Sequence, residues 1–227
     1  CISNNCSPDN THEVVMGFQK KYPGLIDYSE NKENLGADRN LLKLMETARG
    51  NFIWPLGDDD EVVDNGIKKV ADFIRSYCNK NTGLIMLGHK SYFVDKKTGK
   101  EVVYYDTIEK DKPKTYKIDL KEIIGIRFNN SFMSVLLINN NFLQKILEEE
   151  KWAVKEALGN YYVHTFLYQI MLLKYKQLEV ARLNEIIITE DLHYYKFYVE
   201  DRFNVFYAAR KKLNNLLLHS QYMDGCY

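Results

Sequence analysis

Three consecutive aspartates, Asp58, Asp59 and Asp60, follow the apolar run "NFIWPLG". Adjacent carboxylates repel one another and resist burial. A divalent cation that shares their oxygens makes the cluster stable. Mg²⁺ accepts one or two carboxylates in octahedral geometry and leaves its other positions to water and substrate phosphate. A cation held there can bridge diphosphate oxygens and absorb leaving-group charge. The competing reading is a solvated helix start, because acidic residues suit the positive end of a helix dipole. The run "DDDEVVDNGIKKV" satisfies that reading as well.

The elements around these carboxylates bear on the choice. "CIS" reads as the tail of a strand, and "NNCSPDNT" follows it as a turn. A helix is expected from near Thr11, capped by Asp9 or Thr11. Val14, Val15 and Phe18 are its expected buried side, and Tyr22-Pro23-Gly24 ends it. "LIDYS" is a short strand. Leu41, Leu44, Met45 and Ala48 recur at helical spacing in a helix over 37–49, stopped by Gly50. "FIWPL" is an apolar strand that ends at Gly57 and the aspartates. A helix over 62–77 is expected to bury Val63, Ile67, Val70 and Ile74, with Lys68, Asp72 and Arg75 outside. "GLIMLG" is a further buried strand. Such alternation predicts a mainly parallel sheet covered by helices. Ligands bind outside the carboxyl ends of such strands, where Asp58–Asp60 and the Asn4–Asn5 loop lie.

The pattern changes later in the chain. "YFVDKKTGKEVVYYD" is a hairpin turning at Thr98-Gly99. Pro113 sits in a charged loop, "DLKEIIGIRF" (119–128) reads as helix, and "SFMSVLLIN" (131–139) reads as strand. From Phe142 the chain is expected to be mostly helical, with "EIIIT" a short strand and a last helix over 199–220. The change divides residues 1–110 from 111–227 as two halves of one fold.

Composition narrows the function classes. The 227 residues are 45% hydrophobic and 27% charged, and 31 Lys plus Arg balance 31 Asp plus Glu. Nothing in that balance calls for nucleic acid as a partner. The four cysteines show neither CxxC pairing nor zinc-finger spacing, so they read as reduced cytosolic thiols. The longest apolar runs are too short to span a bilayer, and the start does not read as a signal peptide. The expected location is cytoplasmic.

The residues "SNNCSPDNT" and "ENLGADRNLLKLMETARGNFIWPLGDDDEVVDNGI" resemble the nucleotide-binding half of glycosyltransferase family 2. The family pattern is a strand followed by D-[DN]-x-S-x-D-x-T, then N-x-G-x-x-x-N before a helix ending A-x-G, then a strand ending in an Asp-x-Asp-type site. All three blocks occur in order over about residues 1–90. "W-x-LGDDD" and "FMSVLLIN" look like the branch that builds bacterial surface polysaccharides, including abequosyl- and rhamnosyltransferase-like enzymes.

The resemblance implies a GT-A-type, Rossmann-like α/β fold: a mainly parallel sheet flanked by helices, with a helical C-terminal part. Residues 1–110 would form the nucleotide-sugar-binding half and 111–227 the acceptor-side half. Family members begin with an earlier strand and loop of roughly 30–40 residues, so a missing first strand is expected. The implied donor is a nucleotide-diphosphate sugar, the acceptor a glycan or lipid-linked saccharide, and the cofactor Mn²⁺ or Mg²⁺. Asp59 is the implied metal and diphosphate ligand. Asp58 would share the metal and contact the ribose side, and Asp60 would help hold the metal or sugar. Asn4 stands where the family has a base-recognising Asp, and an amide still donates and accepts hydrogen bonds. Asp9 would brace the turn. Arg39 and Asn40 match the "RN" beside the nucleotide; Arg39 could pair with phosphate or lie solvated.

Inverting members use a carboxylate base, commonly in an "ED" element at a helix start, and pass through an oxocarbenium-like state. No clean "ED" stands at the expected place, and "TED" (189–191) is too far along the chain for a confident match. "LEEEKW" offers Glu148, Glu149 and Glu150, for which a solvated helix face is favoured. "GNYYVHTFL" puts His164 near the expected position. Histidine is a competent base at neutral pH; the bland alternative is a buried helix histidine bonded to a carbonyl. Ser131 and Ser134 could line the acceptor cleft or merely pack. The last helix joins Phe203, Phe206, Tyr207, Leu213 and Leu217 to Arg210, Lys211 and Lys212. That composition fits either peripheral contact with an anionic membrane or core packing. A nucleotidyltransferase and a non-catalytic nucleotide-binding remnant are the alternative functions.

Overall fold

The computed structural model describes residues 1–95, 97–118, 132–159, 161–191 and 211. The expected helix over 119–128, the one over 199–220 apart from Lys211, and Ser131 lie outside the described residues. Strand β1 (Ile2–Asn4) pairs in parallel with β2 (Tyr28–Glu30) in a separate two-stranded sheet. Helix α1 (Thr11–Lys21) connects them, and α2 (Ala37–Thr47) leads to β3 (Phe52–Ile53). Then come β4 (Asp60–Val62), α3 (Gly66–Tyr77) and the hairpin β5 (Thr82–Val94) and β6 (Glu101–Asp106). After β7 (Thr115–Ile118) and β8 (Leu136–Asn139), three helices follow: α4 (Asn140–Glu149), α5 (Lys151–Ala157) and α6 (Val163–Lys174). The long strand β9 (Glu179–Asp191) closes the described series.

The main sheet has seven strands in the order β3-β8-β5-β9-β4, with β6 beside β5 and β7 beside β9. Strands from both sides of residue 110 interleave in it. The expected α/β sheet flanked by helices is present, but its strand directions are mixed. Within the seven-stranded sheet β5 and β9 are parallel, whereas every other pairing is antiparallel. Alternation predicts parallel pairing only where a helix returns the chain to the same edge; β4 and β8 instead enter against their neighbours.

The core runs along β5, β8, β9 and α6. Leu84–Leu87, Leu136–Ile138 and almost every residue of α6 from Val163 to Leu173 are buried. Each large apolar side chain there contributes roughly 1.5–3 kcal/mol. The "INNN" run welds this core to α2. Asn139 caps α4 by accepting from the Phe142 N–H, and the Asn140 amide donates to the carbonyls of Ala48 and Gly50.

Several sequence expectations change. Val14 and Phe18 on α1 are 47% and 50% exposed, and only Val15 is buried there, because α1 borders a sheet of two three-residue strands that offers little surface. Helix α3 starts at Gly66, since Asp60–Val62 is spent on pairing with β9. Its buried positions are Gly66, Val70 and Phe73, four and then three residues apart. Ile67 falls off that face and is 70% exposed. A Cβ at Gly66 would sit 2.6 Å from Val62 Cγ1, so the close helix–strand contact needs glycine. "SFMSVLLIN" begins its described part with a 3₁₀ turn over Met133–Val135 before β8. "EIIIT" belongs to a 13-residue interior strand, so the part after Phe142 is not simply helical. Glu150 is no solvated face residue: it is 5% exposed, pairs with Lys174 at 2.6 Å and accepts from Trp152 Nε1 at 2.6 Å.

Candidate active site

The aspartate turn is held by Ser134, far along the chain. Trp54 Nε1 donates to the Ser134 carbonyl at 2.8 Å. The Ser134 hydroxyl accepts from the Gly57 N–H at 2.9 Å and donates to Asp60 Oδ2 at 2.5 Å. One serine therefore fixes both ends of the Gly57–Asp60 turn. Asp58 and Asp59 remain exposed and Asp60 is half-buried. Asp60 Oδ1 is shielded from solvent and has no hydrogen-bond partner among the described residues. Two exposed carboxylates offer the hard oxygen donors that Mg²⁺ or Mn²⁺ accepts, leaving positions for water and phosphate. Among the described residues no group of three or more His, Cys, Asp or Glu side chains is placed to hold a metal ion.

Gly57 is required by this geometry. A Cβ there would lie 2.6 Å from Asp60 Oδ2 and 2.9 Å from Asp59 Oδ1. Both obstacles are ends of movable side chains, so Gly57→Ala is expected to leave the melting temperature within a few degrees. It should displace both carboxylates and lower nucleotide affinity about 10-fold, as expected when site geometry slips by ~0.5 Å or more. Parallel calorimetric and thermal-melt measurements check both halves of this expectation.

Pairing with β9 adds Glu190, from the "TED" run set aside as too far along the chain, and β5 residues that sequence reasoning missed. Glu190 lies directly opposite Asp60, and Ser91 Oγ donates to Glu190 Oε2 at 2.7 Å. His89, two residues before Ser91 on β5, is buried with its ring edge-on to Phe132 at 5.0 Å. Burial pulls its pKa down, against the pull of the Glu190 carboxylate. The available signal was polar residues alternating at the carboxyl end of a buried strand, "GHKSY", and the acidic end of "ITED".

Burial first, then the charges of Asp59, Glu190 and Asp58, push the Asp60 carboxyl up to about 6, although the Ser134 bond opposes them. A folded-state pKa above the ordinary value of 3.8 means that the folded protein holds the proton more tightly. Its contribution to stability is complete below pH 4 and is lost as pH rises through about 6. The metal-free protein should therefore melt at lower temperature at pH 7 than at pH 5 by an increment that Asp60→Asn removes. Melting curves from pH 4 to 8 check this; an identical slope in the variant overturns it.

Asn4, Asp9 and Asn40, with Arg39 beside it, lie around β1 and β2, whereas His164 lies on α6. Asn4 is buried, and its amide donates to Tyr28 Oη at 3.2 Å and Glu30 Oε1 at 3.4 Å. Its own oxygen accepts from the Ser7 N–H. Asp9 Oδ1 accepts from the Thr11 N–H and hydroxyl and braces the turn into α1. Asn40 Oδ1 accepts from Ser3 Oγ and Asn31 Nδ2, so it ties α2 to β1 and to the residue just after β2. Arg39 beside it is exposed. His164 occupies the second position of α6 and is 3% exposed. It lies near neither strand tip in sequence; the contact between α2 and the start of α6 is made by Asp38, whose carboxylate accepts from the Tyr161 N–H at 2.9 Å.

Residues 1–137 match the family described as Glycosyl transferase family 2. Among curated proteins, the chain is similar to abequosyltransferase RfbV of Salmonella typhimurium, at 25% identity over 182 residues. That match covers 74% of this chain and 49% of the relative. It is also similar to the uncharacterized glycosyltransferase MG025 of Mycoplasma genitalium, at 36% identity over 72 residues, covering 32% of this chain and 24% of that protein. The chain thus spans about half the length, or less, of the curated relatives it matches. Among solved structures, residues 1–349 of S. aureus TarS superpose with a TM-score of 0.59 at 14% identity, covering 96% of this chain and 56% of that one. A longer TarS structure gives 0.58 at 16% identity, covering 96% and 34%. At that identity the likeness concerns the fold, and it agrees with the GT-A-type α/β architecture expected from the sequence.

Proposed function

The chain belongs to glycosyltransferase family 2, and on that premise we propose that it moves a sugar from a nucleotide-diphosphate donor to a glycan or lipid-linked acceptor in bacterial surface-polysaccharide synthesis. The observation that carries this reading is the Gly57–Asp60 turn. It stands just ahead of a sheet strand, is held by Ser134 and presents two exposed carboxylates. Similarity to a named abequosyltransferase supports transfer of a sugar group. No helix among the described residues is long and apolar enough to cross a membrane. Action at the cytoplasmic face, with peripheral contact to a membrane carrying the acceptor, is part of the proposal.

In this reading Asn4 meets the base, Asp9 braces its loop, Arg39 and Asn40 border the phosphates, and Asp58 faces the ribose. Asp59 and Asp58 would hold a divalent cation, whose chemistry is to neutralise diphosphate charge as the leaving group departs. Asp60 orients the turn and the sugar. His164 takes the proton of the acceptor hydroxyl while that oxygen attacks the anomeric carbon from the face opposite the leaving diphosphate, which inverts the centre. Calorimetric titration with UDP, GDP and dTDP, with and without Mn²⁺, tests the donor half. Metal-stimulated binding of one nucleotide is expected; absence of binding by all three would overturn the donor assignment.

A further inference from the structure

Helix α6 begins in an unusual way. Its N-cap residue, Tyr162, supplies no side-chain cap. The segment before it turns through two left-handed residues, Gly159 at φ 80° and Tyr161 at φ 62°. A non-glycine residue held there costs about 1–3 kcal/mol unless its surroundings fix it. From Val163 onward the helix is buried, so its first N–H groups need partners from within the protein. Asp38, from a distant element, supplies a partner for the first of them and for an amide of the approaching segment. Its carboxylate, 8% exposed, accepts from the Tyr161 N–H at 2.9 Å and from the Val163 N–H at 3.4 Å. Asp38 also lies in the first turn of α2, so one carboxylate serves the positive ends of two helices. It comes two residues after Gly36, whose φ is 80°, and just before Arg39 and Asn40. His164 follows the second bonded amide directly.

We propose that Asp38 is a positioning residue that locks the start of α6, and with it His164, to the donor-side turn Gly36–Asn40. The role rests on the donor and base assignments made above. The carboxylate acts through backbone amides and touches no reacting atom. Anchoring both helix starts to one side chain sets the spacing between the donor loop and the acceptor base.

Asp38→Ala and the near-isosteric Asp38→Asn separate this role from general stability. Hydrogen exchange should show faster exchange at Tyr161 and Val163 in Asp38→Ala, with Phe166–Leu173 still protected. With whichever UDP-, GDP- or dTDP-hexose the protein turns over, kcat should fall about 10- to 100-fold, as small displacements of catalytic groups do. Donor affinity by calorimetry should stay within about threefold, and Asp38→Asn should recover part of kcat by keeping one acceptor. Unchanged exchange at Tyr161 and Val163 would overturn the proposal whatever the activity. So would donor affinity and kcat falling together, or an Asp38→Ala kcat above half of wild type. If His164→Gln proves fully active while the Asp38 exchange and kcat effects persist, the base assignment fails and the lock stands. If no nucleotide sugar is bound at all, the donor reading fails and the exchange experiment still decides the lock.

Discussion

Asp59→Ala is expected to abolish the Mn²⁺ stimulation of nucleotide binding and to lower sugar transfer at least ~100-fold, the scale of several kcal/mol of charge stabilisation at the leaving diphosphate. The structure makes this substitution unusually clean. Asp59 is exposed and lies at the tip of a turn that Ser134 holds through Gly57 and Asp60. Removing its carboxylate breaks none of those bonds. It also removes one of the charges that push Asp60 upward, so the melting temperature at neutral pH should be unchanged or slightly higher. A variant that stays folded, binds nucleotide weakly and ignores Mn²⁺ is the expected result. Metal-independent binding that is the same in wild type and Asp59→Ala would sink the metal and diphosphate assignment.

His164→Gln is expected to lower kcat by about 10²–10⁴, the usual contribution of a positioned general base, while leaving donor affinity intact. Glutamine is chosen over alanine because position 164 is buried at the start of a packed helix, where a cavity would confuse stability with catalysis. His89 is the informative control. It is buried on β5, within the field of Glu190, on the face that also carries Ser91. Near-wild-type transfer by His164→Gln together with loss in His89→Gln would move the proton acceptor to the strands beside Asp60.

Local pattern made much of the first half legible. The helices after the first two strands, the hairpin turn at Gly99 and the carboxylates ahead of β4 all follow from short-range rules: helical spacing of apolar residues, glycine at positive φ, and charge avoiding burial. The misplacements have one physical source. Val14, Phe18 and Ile67 are apolar residues that periodicity assigned to a core, but a hydrophobic side chain is buried only where another layer covers it. Glu150 shows the converse, because its charge is tolerated inside by Lys174 from a helix whose arrival the local sequence does not announce.

The same division holds at the site. Residue types and spacing by themselves determined that Asp58–Asp60 form a carboxylate cluster kept from full burial, since adjacent like charges resist it; a donor-binding role is what the family resemblance implies. Only the tertiary structure decided what holds that turn and what faces it. Ser134 lies 74 residues from Asp60, Glu190 meets Asp60 through strand register, and Asp38 reaches amides 123 and 125 residues away. Hydrogen bonds of that range depend on how the sheet and helices are assembled in space, and neither propensity nor periodicity carries that information.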